Sequence, residues 1–393
     1  MTKARISLIA VFAVIALSII ARPPISSVGS LLPEIVEKLS LTPVQSGLIA
    51  STPVFLFGFG AFLSPALARR FGVNHSLFLV AILLLASLLI RALGGFELLF
   101  VGTFGVGVAI AIINVLLPNV MRTEFKERIP VATGVYTALF GLMASVAAAV
   151  SVPLSAALGG WQLSLGFWAL FALLALALWF PLLRNRDPHQ IAPGGSHKAE
   201  RRQVLRSPMG LGIIGFFGFQ SAGFYLVLNW LPTILVDFGY SDSAAGSLLG
   251  LTTIVGVPLA LIFSLFIKRI SNLGWAAFAI SALSAIGYVI LLQGSHWVIL
   301  GCLTIGVGQA MTFPLALTLI STRPANQIQV TELSTWGQGL GYLFAAIATF
   351  TAGLLRDLTG TWATSLVLIL VISIVQAFIG LVAGRPGHIA TAG

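Results

Sequence analysis

Residues 97–121 read ELLFVGTFGVGVAIAIINVLLPNVM. Apart from Glu97 at its start the stretch carries no charge. As a helix rising ~1.5 Å per residue it crosses the ~30 Å hydrocarbon core of a bilayer. Only a helix satisfies every backbone N–H and C=O within one such segment, so the run reads as a membrane span. It holds the triplet Gly105-Val106-Gly107 and is closed by Arg122. Both features return in 297–321, where Gly306-Val307-Gly308 is followed by Arg323. An apolar segment with a counterpart in the other half of the chain sets two expectations, many spans and a duplication.

The composition agrees. Of 393 residues, 58% are hydrophobic and only 8% charged, where a soluble domain carries about 25%. So apolar a chain needs lipid as its solvent. The counts of Gly, 41, and Pro, 18, suit packed membrane helices, in which small residues let backbones approach closely. Applying the length rule throughout predicts twelve helical spans, near 7–33, 44–68, 74–93, 97–121, 131–157 and 162–183, then 209–236, 244–267, 274–293, 297–321, 328–354 and 362–383. The basic start, Lys3 and Arg5, followed by an apolar stretch mimics a signal peptide, but no small-residue cleavage site closes it, so it is read as the first span, retained. The one long polar stretch, RNRDPHQIAPGGSHKAERRQVLRS at 184–207, reads as a linker. The expected organisation is a six-helix bundle at 1–183, a cytoplasmic linker at 184–207 and a second six-helix bundle at 208–393.

The net charge of +10 does not point to nucleic acid, because the cations fall in short clusters between spans. One side holds Lys3, Arg5, Arg69, Arg70, Arg122, Lys126, Arg128, Arg184, Arg186, Lys198, Arg201, Arg202, Arg206, Lys268, Arg269, Arg323 and Arg385. The other holds only Lys38, Arg91 and Arg356, beside Glu34, Glu37, Asp237 and Asp242. The positive-inside rule puts both termini and the linker in the cytoplasm, with the basic linker held against anionic lipid. Cys302, the single cysteine, lies in an apolar run and reads as packing.

The halves repeat. Leu32, Pro33 and Ile35 before Gly47 match Leu231, Pro232 and Ile234 before Gly246; Gly141 matches Gly341, and Trp161 matches Trp362. Two six-helix halves joined by a cytoplasmic loop resemble the major facilitator superfamily. That resemblance implies an all-α membrane fold of twelve helices in two pseudo-symmetric bundles. It further implies a substrate cavity near the bilayer midplane, lined by the first, fourth, seventh and tenth helices, with contributions from the second, fifth, eighth and eleventh.

Arg22 is the first candidate for function. It sits past the middle of span one, in ALSIIARPPISSVGSLLP, too deep for easy snorkelling. A cation there costs about 3 kcal/mol or more, so it faces a cavity or a partner, and no buried Asp or Glu is expected in the spans to pair with it. Its fork of donors suits an anion or a planar polar group. Pro23 and Pro24 remove backbone donors and disrupt the turn; holding that kink is the alternative role of Arg22. The repeat puts Ser221 opposite Arg22, with Gln220, Tyr225, Asn229 and Trp230 on the same span. Asn114, Tyr136, Gln309, Trp336 and Gln338 complete the substrate-binding candidates. Amides and rings suit a small polar or planar solute, although an intramembrane amide also serves to bond a neighbouring helix, and Trp230 and Tyr225 fit an interfacial belt. Arg91, beside Gly94-Gly95, lies near the outer interface, to which it is expected to snorkel in a structural role, with a role in the outer vestibule as the alternative.

His75, His189, His197, His296 and His388 fall at or beyond span ends, so no embedded histidine relay is expected. No phosphate-binding loop, HExxH, paired-cysteine metal site or GxSxG elbow is present, and neither catalysis, a cofactor nor a metal is expected.

The segments ARPPISSVGSLLPEI, INVLLPNVMRTEF, NWLPTILVDFGYSDSAAGSLLG and WGQGLGYLFAA make the sequence similar to the cyanate and 2-nitroimidazole transporter branch of that superfamily, over nearly the whole chain. Arg22, Asn114, Trp230 and Gln338 fall at motif positions of the branch. The loop after span two departs from the superfamily's GxLaDrxGrr: it reads PALARRFGVN, with Arg69 at the place of the Asp. The resemblance implies a secondary transporter of the inner membrane, moving a small anionic or planar polar solute by alternating access. Broader drug or metabolite efflux, with Arg22 structural, is the alternative, and a non-transporting receptor or scaffold the third. The partners expected are a small-molecule substrate and membrane lipid, with no nucleic acid, and the protein is expected to be a monomer.

Overall fold

The structure, a computed structural model, describes residues 8–41, 43–125, 128–183 and 197–390. Lys3, Arg5, Lys126, Arg184, Arg186 and His189 lie outside the described residues, as do the side chains of His197 and Asp242. No β-strand occurs among the described residues. In the first half the helices are α1 (Leu8–Ile20), α2 (Pro23–Leu39), α3 (Pro43–Ala61), α4 (Ser64–Phe71), α5 (Val73–Ala92), α6 (Phe96–Val120), α7 (Ile129–Leu158), α8 (Trp161–Phe167) and α9 (Ala169–Trp179). Then follow α10 (His197–Arg206), α11 (Pro208–Asp237), α12 (Asp242–Ile254), α13 (Gly256–Phe266), α14 (Leu273–Leu292), α15 (Val298–Thr322), α16 (Gln327–Thr359) and α17 (Ala363–Ala383). Among the described residues eleven segments are long and apolar enough to cross a membrane, and the pair α3 and α4, bent by 52°, counts as a twelfth when taken as one broken span. These are the twelve spans expected from the sequence, several of them broken.

Prolines stand at several of these irregularities. Pro23 and Pro24 open α2 without N–H donors, so the Arg22 carbonyl takes the first bonds, from Ile25 (3.0 Å) and Ser26 (3.2 Å). Pro65 stands in the first turn of α4 after the bend. Pro118 near the end of α6 is followed by a π-helical turn over Met121–Phe125, which carries Arg122.

Contacts divide the chain into two compact units. The first comprises 1–127 and 139–194; its interior at one end gathers Val28, Leu31 and Ile35 of α2 with Ile49, Leu99, Trp161 and Leu165. The second comprises 128–138 and 195–393. There Gly341 lets α16 close on α11, since a Cβ at that position would stand 2.7 Å from the Phe217 ring and 3.1 Å from the Gly218 Cα.

The repeat is legible in the packing of each unit. Ser164 Oγ donates to the Ser151 carbonyl at 2.7 Å in the first, and Ser365 Oγ to the Ala352 carbonyl at 2.7 Å in the second. Trp161 packs against the end of span one; Trp362 packs on Trp230 at the end of span seven, ring centroids 5.1 Å apart. The glycines of spans four and ten correct one detail. Gly102 packs on span three and Gly301 on span nine, while Gly107 packs on span two and Gly306 on span eight. The structural counterpart of Gly306 is therefore Gly107, not Gly105, and the matching triplets are displaced by one helix position pair.

The segment read as a plain linker needs correcting in its second part. His197–Arg206 is helical, because Glu200 is buried and accepts from Asn326 Nδ2 (2.9 Å) and Gln329 Nε2 (2.8 Å), anchoring α10 to the start of α16. Arg323 closes the same region by donating to the Gly384 (3.1 Å) and Gly387 (3.3 Å) carbonyls. Its partial burial holds the guanidinium below the usual arginine value.

Candidate functional site

In the first unit, Arg22 sits at the broken joint of span one, half-buried. Its guanidinium carbon lies 4.9 Å from the ring centroid of Phe140 and 6.0 Å from that of Phe57. Both rings are buried, so the cation is held against aromatic faces in a setting poor in water. Among the described residues it makes no ion pair or side-chain hydrogen bond. Ring contacts consume no N–H donor, and the guanidinium fork remains able to take a ligand. Asn114 is buried in α6 of the same unit. Phe57 and Phe140 were not among the residues singled out from the sequence; nothing in an apolar helix distinguishes them from their neighbours.

Arg91 corrects an expectation. It is 0% exposed rather than snorkelled, and its Nη1 donates to the Pro24 carbonyl at 2.6 Å. An acceptor in the first turn of α2 is within reach, so the side chain turns inward. Among the described residues the side-chain bond that reaches the kink from another helix comes from Arg91, and the guanidinium of Arg22 makes none.

A second correction concerns carboxylates. Glu332 lies within an expected span, is buried, and accepts from Trp336 Nε1 at 3.3 Å. Glu34 is half-buried because α2 runs on to Leu39, and Ser155 Oγ donates to both its oxygens, at 2.7 and 3.0 Å. Helix amphipathicity over QIQVTEL was the signal available for Glu332: it leaves few apolar residues to face lipid.

The second unit holds the remaining candidates. Gln220 and Ser221 are buried side by side, with Ser221 Oγ 3.4 Å from Gln220 Oε1. Tyr225 and Tyr342 lie 6.2 Å apart by ring centroids, and Phe217 meets Tyr342 edge-on at 5.5 Å and Phe313 at 6.0 Å. This aromatic group surrounds the α11–α16 contact. Tyr136 is buried in the part of α7 that belongs to this unit.

Other candidates are engaged in holding helices together. Gln309 Nε2 donates to Tyr288 Oη at 3.1 Å and lies against Gly223 of α11, which ties spans nine, ten and seven. Trp230 Nε1 donates to the Thr349 carbonyl at 2.9 Å. Gln338, by contrast, bonds within its own helix, Nε2 donating to Ser334 Oγ at 2.8 Å. Asn229 is exposed and stands apart from the buried amides. Among the described residues no cluster of His, Cys, Asp or Glu has the makings of a metal site.

A sequence profile described as the Major Facilitator Superfamily matches residues 6–346. The chain is 34% identical over 387 residues to a 2-nitroimidazole transporter of Escherichia coli, covering 98% of each chain. It is 26% identical to the cyanate transport protein CynX of Escherichia coli, covering 87% of this chain and 88% of the other. Among solved structures, the Escherichia coli fucose:proton symporter FucP superposes with a TM-score of 0.78 at 14% identity, covering 97% of this chain and 100% of that one.

Proposed function

The chain belongs to the major facilitator superfamily, and from that premise we propose that it is a secondary transporter of a small anionic or planar polar solute, recognised chiefly by Arg22. It is a multi-pass membrane protein and, like the family, a transporter and not an enzyme. The observation that carries the reading is the guanidinium at the joint of span one, held on Phe57 and Phe140 with no carboxylate paired to it among the described residues. A cation so placed attracts an anionic end or a pair of oxygens, while the rings offer a flat apolar contact to a planar solute. The names of the two relatives, one for a nitro-heterocycle and one for a small linear anion, are consistent with both features.

In this reading the two six-span halves alternate so that the bound solute faces first one side of the inner membrane and then the other. Both termini are cytoplasmic, following the bias of Lys and Arg. Broader efflux of hydrophobic compounds is the second reading; the aromatic group Phe217, Phe313, Tyr225 and Tyr342 supports it.

The test is a thermal-shift series on purified wild type, Arg22→Ala and Arg22→Lys with cyanate, nitrate, small carboxylates and 2-nitroimidazole. A ligand of the folded state raises its stability by mass action. Stabilisation of the wild type by one of these classes, lost in Arg22→Ala, is expected. Equal responses in all three proteins, or stabilisation by none of these solutes, would overturn the recognition role.

A further inference from the structure

Arg91 is fully buried in the first unit, where Arg22 and Arg122 are half-buried, and the function proposed above does not use it. It stands in the last turn of α5, 0% exposed, and makes one hydrogen bond, from Nη1 to the Pro24 carbonyl at 2.6 Å. Its Nε and Nη2 meet no acceptor among the described residues, and no carboxylate there neutralises it. Packing alone is served as well by a leucine or a methionine, without the cost of burying a charge. What the guanidinium adds is a donor aimed at one carbonyl.

That carbonyl matters because of where it lies. The joint of span one has lost the N–H groups of Pro23 and Pro24, so the backbone bonds that open α2 are those of Ile25 and Ser26 to the Arg22 carbonyl. Ser27 Oγ bonds the Pro23 carbonyl from within α2 itself and fixes no direction relative to other helices. Arg91 reaches the same turn from a different helix. Its own backbone is held firmly: a Cβ on Gly102 of α6 would stand 2.6 Å from the Ser87 carbonyl oxygen and 3.0 Å from the Arg91 nitrogen, so α5 and α6 touch at that point. The first turn of α2 is therefore referenced to the rigid α5–α6 pair through one long-range hydrogen bond.

We propose that Arg91 is a positioning residue for solute recognition, its bond to the Pro24 carbonyl fixing the joint that sets the Arg22 guanidinium against Phe57 and Phe140. The inference rests on Arg22 being the recognition group. It predicts that loss of the bond weakens binding through Arg22 and has no effect of its own once Arg22 is gone.

The experiment is a double-mutant cycle read by calorimetric titration of detergent-purified protein with cyanate and with 2-nitroimidazole. Arg91→Met is expected to weaken binding by about tenfold, and Arg91→Lys, which restores a donor, to recover most of that loss. The Arg22→Ala/Arg91→Met double variant is expected to bind no more weakly than Arg22→Ala alone. If Arg91→Met is not monodisperse, Arg91→Gln, polar but too short to reach Pro24, takes its place with the same expectation. Wild-type affinity in Arg91→Met or Arg91→Gln, or losses that simply add in the double variant, would overturn the positioning role while leaving Arg22 as it stands. Unchanged binding in Arg22→Ala, or no binding of either solute to the wild type, would instead remove the premise and the inference with it.

Discussion

Arg91 gives one donor to the Pro24 carbonyl, whereas Arg22 meets rings and no described acceptor. Both are single arginines in apolar helices, and the difference between them is the presence of an acceptor within reach. The same logic separates the other polar side chains. Trp230 has its indole N–H on the Thr349 carbonyl and its ring on Trp362 and Gly353, so its work is to join α11, α16 and α17. Trp230→Phe keeps a ring but leaves that carbonyl without its donor. It is expected to lower stability by about 1 kcal/mol in detergent, seen as a lower melting temperature, with solute affinity unchanged. A selective loss of affinity at unchanged stability would place Trp230 in recognition instead.

At the scale of the element, the joint in span one is where local rules place the proposed recognition group. Two prolines in sequence deny α1 the donors that would continue it, and the resulting break leaves Arg22 as the N-cap of α2. Restoring the donors should fuse α1 and α2. The Pro23→Ala/Pro24→Ala variant is expected to match or exceed the wild type in thermal stability, because alanine, unlike proline, is fully compatible with the interior of a fused helix. Its transport in proteoliposomes is expected to fall about tenfold, because the Pro24 carbonyl and the Arg22 side chain leave their places. Full transport with a straightened helix would show that the break is dispensable. The α10 helix follows a different rule: its charges let it pass for a linker, and only the burial of Glu200 against Asn326 and Gln329 reveals that it is docked.

At the scale of the whole molecule, the distribution of Lys and Arg makes a prediction about orientation. Cys302, the only cysteine, is buried, so an introduced thiol reports with little background. Ser271→Cys, in the exposed turn after Lys268 and Arg269, is expected to react with an impermeant maleimide only after cells are permeabilised. Ser295→Cys, in the exposed turn before α15, is expected to react in intact cells. The reverse pattern would invert the proposed topology. The number and order of the spans were legible from the sequence because each span must satisfy its own backbone in lipid, a requirement that depends on local composition and length alone. The repeat was legible for the same reason, as matched Pro and Gly positions, although the pairing of Gly306 with Gly107 came only from their packing partners. Arg22 could be singled out because burying a charge is costly wherever it occurs. The inward turn of Arg91, the rings of Phe57 and Phe140 and the docking of α10 could not. In water an amphipathic pattern tells which face of a helix is inside; lipid tails are as apolar as a packed helix interior, so that pattern fades and the facing of each side chain is decided by its neighbours in three dimensions.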